Sequence, residues 1–170
     1  MRTLRFFAVI AMTAMLAFSI MLVATPSQKL SNESHKADLS GFDEVPAVSS
    51  TGSGLLRLKI NEAEESIEFE LSYENLEGTT TGAAHIHIGQ EGANGGVVAF
   101  FCGGSTTPPC TPTSGSFSGT IGPSDIVAVA SQGIAAGEWS EVVRAMRAGR
   151  IYANVHTNKH PAGEIRGQVK

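Results

Sequence analysis

Two histidines stand two positions apart in AAHIHIG, residues 83–89, and a third, His156, closes the run YANVH, four positions before His160. Alternate side chains of a β-strand share a face. A strand through 83–88 therefore points His85 and His87 the same way, with Ala84, Ile86 and Ile88 on the other side. A strand through 151–156 does the same for Tyr152, Asn154 and His156 against Ile151, Ala153 and Val155. With the apolar sets facing a core and the two strands adjacent, three imidazoles converge on the outer face, and His160 can reach in from the NKHPAG turn as a fourth donor. Zinc and copper accept such a set. The competing reading is structural: an imidazole on a sheet can bond a neighbouring carbonyl or a carboxylate such as Glu164 and do nothing else.

Glu164 and Arg166 are also two apart, and an acid beside a base on one strand face reads as an ion pair that fixes register. Cys102 and Cys110 bracket GGSTTPP and are the two cysteines of the chain. In an oxidising compartment they admit one pairing, so a disulfide pinning this loop is expected. No Ser-His-Asp order, paired-acid spacing or phosphate loop is visible. GQEGANGG is rich in glycine but follows a strand without opening a helix. These readings point to a protein that is not an enzyme.

The elements that must carry these residues are mostly strands. Leu56, Leu58 and Ile60 alternate with Arg57 and Lys59, and Ile67, Phe69, Leu71 and Tyr73 alternate with Glu68, Glu70, Ser72 and Glu74. This is the signature of two half-buried strands joined as a hairpin. Further short strands are expected at 38–45, 83–88, 96–101, 115–121, 151–156 and 164–169, which makes an antiparallel sandwich or barrel. Trp139, Val142, Val143 and Met146 follow helical spacing instead, with Gly149 placed as a stop, and predict a short helix over an open end of the fold. Trp139 reads as a core anchor. Pro123-Ser124-Asp125 predicts another helical turn.

The first 24 residues carry Arg2 and Arg5 followed by an uncharged stretch from Phe6 to Ala24, interrupted only by Thr13 and Ser19. This reads as an export segment, either a cleaved signal or a retained membrane anchor, which places the rest outside the cytoplasm. Residues 25–36 read as a polar tether, with His35 solvated, and 37–170 as one domain. Past residue 24, ten basic face sixteen acidic side chains. That balance excludes a nucleic-acid surface.

Three stretches, LSGFDEVPAV, AAHIHIGQEGANGGVV and AGRIYANVHTNKHPAGEIRGQV, occur in this order and resemble the CHRD domain first described in chordin. The last is the most specific. The resemblance implies an immunoglobulin-like β-sandwich, extracellular placement, no catalytic activity, and binding or adhesion at the cell surface with an extracellular protein or surface ligand as partner. A fainter resemblance, to copper-zinc superoxide dismutase, rests on His85 and His87 alone; that family's bridging histidine and zinc-binding aspartate have no counterpart here. Copper or zinc on His85, His87, His156 and His160 is the alternative function.

Overall fold

The computed structural model describes residues 33–170, apart from residues 64 and 81. The export segment and residues 25–32 of the expected tether lie outside the described residues. Eight strands follow: β1 (Glu33–Ser40), β2 (Ser53–Asn61), β3 (Ser66–Glu74), β4 (Ala84–Ile88), β5 (Val97–Cys102), β6 (Gly115–Ile121), β7 (Ile151–Val155) and β8 (Ile165–Gln168), with one α-helix, α1 (Trp139–Arg147), between β6 and β7. β1 starts inside the stretch expected to be a tether. It pairs with β2 from Glu33 onward, and His35, rather than being solvated, meets the Glu33 carboxylate at 3.0 Å.

The strands form one antiparallel sheet in the order β5-β4-β7-β8-β1-β2-β3-β6. This replaces the expected two-sheet immunoglobulin-like sandwich. The halves stay joined because Ser40 of β1 pairs with Arg166 of β8. The outer strands β5 and β6 then approach each other, so the sheet curls into a nearly closed barrel. Phe69 of β3 packs on Phe101 of β5 across the interior, ring centroids 4.8 Å apart. The disulfide Cys102–Cys110 pins the segment that leaves β5 toward β6.

Alternation does the inward sorting. Leu56, Leu58, Ile60, Ile67, Phe69, Leu71 and Tyr73 are buried, while Arg57, Glu68 and Glu70 between them are exposed. At about 25 cal/mol per Å² of apolar surface removed from water, each such large side chain contributes about 1.5–3 kcal/mol. Trp139, Val142, Val143 and Met146 bury the apolar stripe of α1. Arg147 pairs with Glu33 at 2.7 Å and with Glu62, fixing the helix beside the start of β1 and the end of β2. Gly149, at φ 65°, ends the helix in a conformation that a side chain would strain. The turn Pro123–Asp125 also forms, with the Asp125 carboxylate accepting the Gly122 N–H at 2.9 Å.

The barrel wall is not uniform. On β3 buried and exposed residues alternate, but β7 is buried at every position and β4 at all but its last. Loops cover the outer face there. Gly95 N–H donates to Tyr152 Oη at 3.2 Å, Asn94 Nδ2 donates to the Val45 carbonyl at 3.2 Å, and Gln168 Nε2 donates to the carbonyls of Gly89, Gly149 and Ile151.

A candidate metal centre of three histidines

β4 and β7 are hydrogen-bonded neighbours, with His85 opposite Asn154 and His87 opposite Tyr152. On its other side β4 pairs with β5, whose register slips beside His85 and again beside His87. Such bulges bend a strand and re-aim its side chains. The outcome is convergence: one ligand nitrogen from each of His85, His87 and His156 lies within 4.8 Å of the others. An ion with nitrogens about 2.1 Å away would need the three closer together than this, so His85, His87 and His156 would hold it after small ring tilts.

The face is not an open one. His85 and His87 are each 7% exposed, and His156 is half-buried. The Phe100 ring meets His85 edge-on at 5.3 Å, and Tyr152 stacks on His87 at 4.6 Å with ring planes 1° apart. Burial, with smaller contributions from His87 and His156, pushes the His85 pKa down to about 2; burial likewise lowers that of His87, against the bonds it makes to Gly95 and Asn154. Both therefore present neutral imidazoles, the form that binds metal.

The far nitrogens are already committed. His87 Nδ1 stands 2.9 Å from the Gly95 carbonyl and His156 Nδ1 2.9 Å from the Pro161 carbonyl. A carbonyl accepts only from an N–H, so in the neutral rings the proton sits on Nδ1 and Nε2 carries a lone pair. Both Nε2 atoms meet Asn154 Oδ1, at 3.0 Å and 3.1 Å. Three acceptors thus face one another with no hydrogen between them. His85 Nδ1 is buried with no partner. A carbonyl behind a ligating imidazole, as His87 and His156 each have, is the arrangement that orients histidine around a metal.

His160 does not join the cluster. Its backbone bonds Thr157, and its Nε2 is buried without a partner. The expected Glu164–Arg166 pair is likewise replaced by separate partners. The Glu164 carboxylate accepts from Ser50 Oγ, Thr157 Oγ1 and the amides of Glu77 and Gly78, and these bonds outweigh burial to lower its pKa. Arg166 donates to Asn94 Oδ1 at 2.9 Å and to the carbonyls of Ala93 and Gln90, with its Cζ 3.4 Å from the Tyr152 ring centre. The loops that cover the outer face bring these partners closer to each residue than the two are to each other.

Two contributors carry no motif of their own. Asn154 shares the face of His156 by strand alternation, and its role shows only once both rings are seen to meet it. Glu44, buried in the turn after β1, has Oε1 without a partner, and burial raises its pKa. Gly163, at φ 129°, passes between these two residues: a Cβ there would lie 2.1 Å from Glu44 Oε1 and 3.0 Å from Asn154 Nδ2. A hollow of about 660 Å³ lies elsewhere, among Lys36, Arg57, Lys59, Glu68 and Glu70. It is lined by charges of both signs, and no metal-donor set converges in it.

Fold and site together define an eight-stranded barrel-like domain with a covered cluster of three imidazoles on one wall. The chain belongs to the CHRD family: the model of the CHRD domain matches residues 35–169. CHRD domains are typically extracellular and often serve in binding. No curated protein and no solved structure matches the chain. Among the described residues, no helix is long and apolar enough to cross a membrane.

Proposed function

We propose that this chain is an exported, non-catalytic CHRD domain that binds a copper or zinc ion through His85, His87 and His156. The observation that carries this reading is the pair of Nδ1–carbonyl bonds, which leaves two bare Nε2 atoms aimed at one spot. A cation there supplies the positive partner that three acceptors lack. Binding or adhesion at the cell surface is the broader role the family supports, and the ion is the ligand that these side chains fit. No group in the cluster is arranged as a nucleophile with its base, which supports a binding role over catalysis.

Asn154 favours one other reading. With its amide turned end for end, its two N–H groups satisfy both Nε2 atoms, and the histidines then act as a pin between β4 and β7. Metal content separates the two. Purified full chain without a histidine tag, offered copper and zinc separately and then desalted, should retain about one ion per chain by elemental analysis. Retention of neither metal would leave only the pin.

A further inference from the structure

Resting on that metal reading, the charge surrounding the site narrows the identity of the ion. The three donors are imidazoles, which bring no negative charge to an ion, and no carboxylate or thiolate converges with them. Close by lies a fixed positive charge. Arg166 is 2% exposed, its guanidinium sits on the Tyr152 ring that stacks on His87, and its hydrogen-bond partners, Asn94, Ala93 and Gln90, are all neutral. The nearest buried carboxyl is Glu44, beside Asn154. Even fully ionised, Glu44 only offsets Arg166. The other buried carboxylate, Glu164, is turned to Ser50, Thr157 and the amides of Glu77 and Gly78.

An ion entering this site therefore keeps its full charge in a poorly hydrated setting. The Born cost of leaving water scales with the square of the charge, so a divalent ion is penalised about four times as heavily as a monovalent one. Coordination number points the same way. Zinc seeks four ligands in a tetrahedron and Cu(II) four in a plane, whereas Cu(I) is complete with three. We infer that the His85–His87–His156 site selects Cu(I) over Zn(II) and Cu(II), with Arg166 acting as the charge filter.

The test is competition on the full chain. Cu(I), kept reduced anaerobically with ascorbate so that no added thiol attacks the disulfide, is titrated against a chromophoric Cu(I) chelator; Zn(II) and Cu(II) are titrated against chelators of their own. Cu(I) should bind at least about a hundredfold more tightly than Zn(II), and Arg166→Met should narrow that gap about tenfold by removing one nearby elementary charge. Glu44→Gln, which keeps Arg166 in place, should widen the gap, and this arm decides the matter if Arg166→Met does not fold. Zn(II) or Cu(II) binding more tightly than Cu(I), or a gap indifferent to Glu44 and Arg166, would overturn the selectivity while leaving a metal site standing. Binding of none of the three ions would remove the metal reading itself.

Discussion

Asn154 Oδ1 lies 3.0 Å from His87 Nε2, on the side of the ring opposite the Nδ1 that meets the Gly95 carbonyl. The same oxygen is 3.1 Å from His156 Nε2. One amide side chain thus governs two of the three imidazoles, whichever way it is turned. Asn154→Ala should destabilise the metal-free protein by about 1–3 kcal/mol, because without an ion the amide turns its N–H groups to the two Nε2 atoms and alanine leaves those buried nitrogens without a donor. Saturating copper should recover most of that loss, because the ion then occupies both Nε2 atoms. Urea denaturation with and without copper reads both numbers, and a loss unaffected by metal would assign Asn154 to the pin alone.

Acid should weaken the fold through His85. Its pKa is lowered in the folded chain, to about 2, whereas an unfolded histidine titrates near 6.5. Between those values the unfolded chain binds the extra proton, so this contribution is complete above about pH 6.5 and is lost as pH falls. Its slope is about 1.4 kcal/mol per pH unit. His85→Phe should flatten the stability profile between pH 6.5 and 4.5 by that slope, measured by urea denaturation across the range. Parallel profiles for the two proteins would contradict it.

Trp139 is 9% exposed and its indole N–H has no partner, so it holds α1 to the barrel by packing alone. Trp139→Ala should therefore cost about 3–5 kcal/mol in chemical denaturation, as truncating a buried aromatic does. Metal content should be unchanged at temperatures where the variant stays folded.

Cys102 and Cys110, eight positions apart in sequence, close a small ring. Alkylation of the unfolded, unreduced protein should label neither. Reduction should lower stability by about 2.5 kcal/mol, the loop-closure entropy returned to the unfolded chain. Alkylation of both without reduction would contradict the pairing.

Strand alternation was enough to read the hairpin of β2 and β3 and the shared face of His85 and His87, and helical spacing the helix at Trp139, because each depends on neighbours close in sequence. Alternation says which side of a strand meets the core but not how the sheet divides. The pairing of Ser40 with Arg166, more than a hundred residues away, makes one barrel-like sheet where a two-sheet sandwich was expected. The same limit explains the histidines. Their outward direction was legible, but their burial comes from loops that fold back across β4 and β7, and no local pattern encodes that cover. Glu164 and Arg166 looked like a pair for the same reason: spacing placed them together, and loop residues such as Ser50 and Asn94 took them apart.

The melting temperature of the full chain with and without copper or zinc tests the metal centre most directly, with His156→Ala as the companion because His156 is the least buried of the three. A ligand at a hundred times its Kd adds about 2.7 kcal/mol to the folded state. For a domain of this size that should raise the wild-type melting temperature by roughly 10 °C, while His156→Ala should lose most of the shift. An unchanged wild-type curve with both metals would contradict the metal centre.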